Sequence, residues 1–162
     1  MIKIKLKLLR AAQDNNYVYS LFTVASKTGI LLFELIFKFT WDSVDFEHKQ
    51  ISIGKTDYFT TQKINITDEV VDALLTIKKL QKFHKQLKGN KYNNDYNLVF
   101  TMSDGSNLTL LFVLTLFKKY ALNAVLYECL LDHFSFYSFR ETYIKRLSKE
   151  EDYPEIIIYK KN

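Results

Sequence analysis

The sequence is poor in residues that break or cross-link a chain. It has one cysteine, one proline and four glycines in 162 residues. The single cysteine, Cys129, excludes an internal disulfide and is typical of a reducing compartment. Because glycine and proline are scarce, few sharp loops are expected and most residues should lie in regular elements.

Features of membrane and secreted proteins are also missing. The apolar run at 28–39, TGILLFELIFKF, is interrupted by Glu34 and Lys38, and a membrane-spanning helix needs about 20 mostly apolar residues. The start, MIKIKLKLLR, alternates lysine with isoleucine or leucine, whereas a secretory leader has an unbroken apolar region after its basic end. We therefore expect a cytoplasmic protein without a membrane segment.

Common catalytic and metal-binding motifs are absent as well. His48, His84 and His133 are far apart in the sequence, and Cys129 has no second cysteine near it, so no metal site is predicted. The sequence has no G-x-x-x-x-G-K-[ST], G-x-G-x-x-G or G-x-S-x-G, which are frequent phosphate-binding and esterase motifs. No cofactor is expected.

The sequence is rich in apolar residues and carries a net positive charge. Hydrophobic residues make up 48% of the chain, enough for one substantial core, and no Pro/Ser-rich linker or repeat divides it. A single domain over 1–162 is therefore predicted. The net charge of +5 mildly favours an anionic partner such as nucleic acid.

Apolar spacing predicts an α+β fold that is mainly helical. The first predicted helix has Asp14 or Asn15 as its N-cap and ends at Gly29. A second helix at 31–39 is apolar nearly all round, which predicts deep burial. Two-residue alternation predicts a three-stranded antiparallel sheet from segments near 50–54, 62–66 and 98–101.

Further helices are predicted around and after the sheet. Thr67 precedes a long helix with an apolar face and a lysine-rich face. Another helix covers 108–122 and carries Lys118 and Lys119 near its end, where cations suit the helix dipole. The last is a basic helix from Ser138 onward that breaks near Pro154.

Several local motifs, in this order, resemble those of the tyrosine recombinases, the phage integrase family. TGILLFEL followed by WDSVDFEHKQISIGKT is similar to the family's T-G-x-R-x-x-E-L segment and its continuation into the first strand. YNLVFTMSDGSNLT is similar to L-V-F-x-x-x-D-G-x-x-[LI]. YSFRET followed by DYPEII resembles the H-x-L-R-H-T block and the D-P-x-V-I helix start. The resemblance extends from about Lys7 to the end and implies the family's catalytic-domain fold.

The resemblance implies a degenerate catalytic site. The family's first phosphate-clamping arginine corresponds to Leu31, which offers neither a donor nor a charge. The histidine and arginine of H-x-x-R correspond to Tyr137 and Arg140, and tyrosine, which titrates at about pH 10, is a poor proton shuttle. The hairpin lysine corresponds to Lys55, which could equally be a solvated hairpin residue. Glu34 matches the family's structural glutamate, so we interpret it as a satisfied carboxylate rather than a tuned acid.

The family's nucleophile has no clear counterpart. Its attacking tyrosine follows a G-H pair beyond the second arginine, and no such pair follows Arg140. Tyr143 and Tyr153 match non-catalytic helix positions, and Tyr159 comes too early. The chain is therefore expected to lack both the nucleophile-bearing C-terminal end and the family's N-terminal DNA-clamp domain.

Three functions follow from this resemblance. The chain is a recombinase-derived module that binds double-stranded DNA without cutting it, an active recombinase that takes its nucleophile from Tyr159 or another recombinase-like chain, or a decayed prophage remnant. In the first case, phosphate contacts are predicted from a basic set that could also serve only to solvate helix faces. These residues are Lys55, Lys118, Lys119, Arg140, Lys145 and Arg146.

Overall fold

A computed structural model describes residues 2–54, 61–124 and 135–148 of the chain. Its first half begins with three helices: α1 (Ile2–Ala11), α2 (Asn16–Thr28) and α3 (Leu32–Phe37). A 3₁₀ turn at Trp41–Ser43 leads into strands β1 (Val44–Asp45), β2 (Gln50–Gly54) and β3 (Thr61–Asn65). The described chain is therefore helical on both sides of a small sheet.

The second half is helical. Helix α4 (Asp68–Lys88) is followed by a 3₁₀ turn at Gly89–Lys91, helix α5 (Leu110–Asn123) and helix α6 (Tyr137–Leu147). The expected long helix after Thr67 is confirmed, with Val70, Leu74 and Ile77 buried and its lysines exposed. The predicted break near Pro154 lies outside the described residues.

Helix α2 forms as its sequence predicts because both of its ends carry capping residues. The Asn15 side chain accepts a hydrogen bond from the Val18 N–H at 3.1 Å, and Gly29 ends the helix in a left-handed conformation with φ 65°. Asparagine satisfies an orphan N–H at a helix start, and glycine adopts positive φ at little cost. Of the two predicted N-caps, Asn15 is therefore the one used.

The sheet is three-stranded and antiparallel, with strand order β1-β2-β3. Ile51 in β2 lies between Val44 of β1 and Ile64 of β3. Ile51 and Ile64 are both buried, so one face of the sheet packs on the core, as the two-residue alternation predicts. The fold class predicted from the sequence is confirmed.

The third strand of this sheet is not the predicted one. The segment 98–101 forms single antiparallel bridges, Thr40 to Leu98 and Thr101 to Asn107, while β1 completes the sheet. The Gln81 side-chain amide holds this segment to α4 by donating to the carbonyls of Leu98 and Val99. The apolar run 98–100 is buried, which explains why it resembles a strand in sequence.

Helix α3 is less buried than predicted. Leu35 and Ile36 are buried, but Phe33 and Phe37 are 59% and 46% exposed, with ring centres 4.9 Å apart. An unbroken apolar run does not reveal which face meets the core, so its sequence overestimates burial. Helix α3 packs against α5 on its other side.

An aromatic cluster fixes α6 to the rest of the core. Phe22 of α2 packs edge-on to Phe117 of α5, with ring centres 6.0 Å apart, and Phe117 packs on Phe139 of α6 at 5.8 Å. Phe139 is 1% exposed. Because large aromatic side chains contribute strongly to core packing, this cluster sets the position of the following residue, Arg140, on α6.

Candidate nucleic-acid interface

Arg140 lies against the C-terminal end of α2. Its Nη1 donates a hydrogen bond to the Gly29 carbonyl at 2.9 Å, between residues 111 positions apart in the sequence. The side chain is half-buried. The fold therefore brings together Arg140 and Gly29, the residues that the resemblance aligned with the family's second arginine and with its T-G turn.

Gly29 is required at this turn for two reasons. Its φ of 65° disfavours any L side chain, and a Cβ built on it would lie 2.8 Å from Cγ and 3.0 Å from Cβ of Tyr143. The Tyr143 ring of α6 therefore packs directly on the backbone of Gly29. Only glycine allows this close approach of helix to turn.

Leu31 stands where the resemblance places the first clamp arginine. It is half-buried at the N-cap position of α3, two residues after the carbonyl that Arg140 contacts. Its N–H donates to Glu34 Oε2 at 3.0 Å. Glu34 is thus a helix-capping carboxylate with a backbone partner, in agreement with its interpretation as a satisfied structural group.

Two more cations bind carbonyls at the same end of α2. Lys5 Nζ donates to the Ser26 carbonyl at 3.0 Å, and Arg146 Nη2 lies 3.4 Å from the Lys27 carbonyl. The last carbonyls of a helix have no intrahelical partner and carry the negative end of its dipole. Lys5, Arg140 and Arg146 therefore cap α2 through tertiary contacts.

Lys5 is electrostatically strained in this position. Burial, with smaller effects from the neighbouring charges of Lys27 and Arg146, lowers its pKa to about 8 against the opposing effect of Glu69. Lys27 Nζ forms an ion pair with Glu69 Oε2 at 2.6 Å. The end of α2 is consequently a region of concentrated positive charge.

The other predicted DNA contacts lie on exposed helix faces. Lys118 and Lys119 are exposed on α5, and Lys145 is exposed on α6. The Lys119 ammonium lies 5.8 Å from the ring centre of Tyr120. Among the described residues, Lys118 and Lys145 have no side-chain hydrogen bond or ion pair. These three lysines are open to solvent and are not fixed by carbonyls.

The remaining predicted site residues are placed only in part. Tyr137 is the first residue of α6, one turn before Arg140, and is 58% exposed. Lys55 and Tyr159 lie outside the described residues, as does Tyr153. Lys5 and Lys27 were not predicted from the sequence, because nothing local in it links the basic start of the chain to the end of α2.

A separate cleft lies at the opposite end of α2. It has a volume of about 480 Å³ and an apolar lining that includes Tyr17, Leu80, Met102 and Phe112. Asp14 and His84 also line it. None of the predicted phosphate contacts that the structure describes lines this cleft, so those basic residues and the cleft occupy different parts of the molecule.

The residues that the structure describes contain neither a metal-binding cluster nor a membrane-spanning helix. In the ranges 2–54, 61–124 and 135–148, no three His, Cys, Asp or Glu side chains are grouped so that they could hold a metal ion. No helix in the described part of the chain is both long and apolar enough to cross a membrane.

Comparison with solved structures identifies the fold. The chain superposes on a XerA recombinase with a TM-score of 0.73 and 15% identity, over 94% of this chain and 51% of that one. It superposes on the Tn1549 transposon integrase, solved in complex with circular intermediate DNA, with a TM-score of 0.68 and 22% identity, over 91% and 51%. The chain has a tyrosine-recombinase fold.

The recombinase fold is shared over only part of those proteins. The chain spans about half the length of each of the two structures. A scan against protein-family models and a search of curated proteins found no match. The fold therefore agrees with the local resemblance in the sequence, and identities of this size support the recombinase fold without assigning an activity.

Proposed function

We propose that the chain binds double-stranded DNA at the C-terminal end of α2 and does not cleave it by itself. The observation that carries this proposal is the contact of Arg140 with the Gly29 carbonyl. This contact supports the proposal because the resemblance assigns the clamp on the scissile phosphate to the segment at this turn. Arg140 is the phosphate-binding residue, and Leu31 is the position at which the clamp is lost.

Arg140 has the unused donors that a phosphate needs. A guanidinium carries five N–H donors in a planar fork, and Gly29 accepts from one nitrogen. No carboxylate among the described residues pairs with Arg140. Arginine with free donors and no acidic partner binds phosphate oxygens strongly and often through two hydrogen bonds.

Two further observations support DNA as the partner. The Tn1549 integrase, which shares the fold, was solved in complex with DNA. The chain carries a net charge of +5, and Lys118, Lys119 and Lys145 are exposed. Phosphate contacts from such cations supply most of the affinity of sequence-independent DNA binding.

Cleavage is not expected because several catalytic groups are missing together. Leu31 has no donor where a clamp arginine would stand, and Tyr137 occupies the histidine position. Loss of one oxyanion-type donor costs about 10²–10³ in rate. Groups that act as a unit are strongly interdependent, so one remaining arginine does not sustain phosphotyrosine chemistry.

Salt-dependent binding tests the first half of the proposal. The purified chain is titrated with a duplex of about 20 base pairs at several salt concentrations, and the logarithm of the binding constant is plotted against that of the salt concentration. Each phosphate contact contributes a slope of about −0.9. A steep negative slope is expected, and a decayed remnant without function would give no measurable binding.

A nicked suicide substrate tests the second half. The protein is incubated with it, and any covalent protein–DNA adduct is resolved on a denaturing gel. No adduct is expected. An adduct that disappears in Tyr159→Phe would instead show that the chain is an active recombinase.

A further inference from the structure

Four helices bring charged side chains together beside the Arg140 contact. Lys5 comes from α1, Lys27 from α2, Glu69 from α4 and Arg146 from α6. We refer to Lys5, Lys27, Arg146 and Glu69 as the Lys5 cluster. Its three cations and one carboxylate give it a net charge of +2.

The contacts within the Lys5 cluster leave this charge largely uncompensated. Glu69 neutralises Lys27 through their 2.6 Å ion pair. Lys5 and Arg146 instead contact the neutral carbonyls of Ser26 and Lys27. Arg146 also lies over the Tyr143 ring, 5.5 Å from its centre. These partners orient the cations but carry no full negative charge.

The Lys5 cluster is open to a ligand from solvent. The Lys27 and Glu69 side chains are 26% and 41% exposed, and Arg146 is exposed. Lys5 is half-buried and is close enough to Arg146 for the two charges to repel each other. Oriented cations that are reachable from water form a favourable site for a compact anion.

We propose that the Lys5 cluster binds a phosphate group, which in a duplex is a backbone phosphate close to the one held by Arg140. This inference rests on the proposed DNA binding. Ser26 and Gly29, whose carbonyls hold Lys5 and Arg140, are three residues apart in the sequence, so the Lys5 cluster lies beside the Arg140 contact.

Phosphate binding at this cluster has a measurable consequence for Lys5. In the free protein, burial and the charges of Lys27 and Arg146 hold the pKa of Lys5 at about 8. A bound phosphate offsets the repulsion and favours the charged ammonium. Binding at about pH 8 is therefore accompanied by proton uptake at Lys5, which a purely structural lysine would not show.

The direct test is an NMR titration of the Lys5 side chain in the full chain. Lysine side chains are isotope-labelled, and the Lys5 signal is assigned by its loss in Lys5→Met. The pKa is measured for the free protein, with inorganic phosphate, and with a duplex of about 20 base pairs. The expected result is an upward shift of about one unit or more with each ligand.

The outcomes separate this inference from the proposed function. An unchanged Lys5 pKa at saturating duplex overturns the inference, while duplex binding itself still supports the proposed function. An upward shift with inorganic phosphate but no binding of duplex supports the phosphate site and overturns the proposed DNA binding. No shift with either ligand overturns the phosphate site.

A matched pair of variants gives a second readout. Arg146→Gln removes an exposed cluster cation that no carboxylate among the described residues neutralises, and Lys79→Gln removes an exposed lysine on α4 about ten residues beyond Glu69. For duplex binding, Arg146→Gln is expected to reduce the salt slope by about 0.9 and Lys79→Gln to leave it unchanged. Equal slopes for the two variants would contradict a phosphate contact at the cluster.

Discussion

The C-terminal end of α2 and the exposed face of α5 both present cations, but they hold them differently. At α2, Arg140 and Lys5 donate to backbone carbonyls at 2.9 and 3.0 Å. On α5, Lys118 and Lys119 extend into solvent. The first group belongs to the packing of the fold, and the second group does not.

This difference bears on both stability and binding. A long side chain that is already fixed loses less conformational entropy when it binds a ligand. The same contacts also satisfy helix carbonyls that would otherwise lack partners. Substitutions at the end of α2 should therefore change folding and DNA binding together, whereas substitutions on α5 should change binding alone.

Gly29→Ala should have the largest effect, because it disrupts the end of α2 itself. A left-handed conformation costs an L residue about 1–2 kcal/mol, and the new Cβ would lie 2.8 Å from Tyr143 Cγ. With the added cost of overpacking, we expect a loss of about 2–4 kcal/mol in the free energy of unfolding. Urea denaturation measures it.

Gly54→Ala is the matched control for this substitution. A Cβ at Gly54 would have no heavy atom of the described residues within 4 Å, and Gly54 is outside the positive-φ region. A change below about 1 kcal/mol is expected. Equal losses in the two variants would show that Gly29 is not specially constrained by α6.

The pH dependence of the free energy of unfolding should reveal the lowered pKa of Lys5, which contacts the C-terminal end of α2. The pKa of Lys5 is about 8 in the folded protein against an ordinary 10.5. Between these values the unfolded chain binds the additional proton, so the free energy of unfolding rises with pH across this window. Burial raises the pKa of Tyr17, which opposes the rise only above about pH 10.

Lys5→Met should remove this rise. Denaturation midpoints are compared between about pH 7.5 and 9.5, below the range where tyrosine titration matters. Lys79→Met, on the exposed face of α4, is the control and should retain the wild-type profile. An identical profile in Lys5→Met and wild type would show that the pKa of Lys5 is not lowered in the folded protein.

Substitutions on α5 should have the smallest effect on folding. Lys118→Gln and Lys119→Gln are each expected to change the free energy of unfolding by less than about 0.5 kcal/mol. If these lysines contact phosphates, each substitution lowers the salt slope for duplex binding by about 1. A large loss of stability would remove the distinction between the two regions.

The sequence predicts those elements whose determinants are local. Asn15 and Gly29 delimit α2 because capping depends on residues within one turn. The two-residue spacing of Ile51 and Ile53, and of Ile64 and Ile66, predicts two strands of the sheet. The prediction of a third strand at 98–101 is wrong for two reasons. The bridge partner of Leu98, Thr40, is distant in sequence, and a short buried apolar run occurs both in strands and in irregular core segments.

The site is predictable in part for the same reason. The motif resemblance brings Arg140 and Leu31 into one site, and the contact of Arg140 with Gly29 places them near each other. The capping of α2 by Lys5 and Arg146 is not predictable, because it depends on the packing of α1 and α6 on α2. The exposure of Phe33 is not predictable either, because a continuous apolar run does not show which of its residues face the core.

Duplex binding by Arg140→Ala tests the central claim most directly, with Arg140→Lys as the control that keeps the charge. Both are compared with wild type under conditions where each is folded. Arg140→Ala should weaken binding to unrelated sequences alike and reduce the salt slope by about 1, while Arg140→Lys should keep the slope. An unchanged slope and affinity in Arg140→Ala would contradict the account and leave Arg140 with the structural role of capping α2.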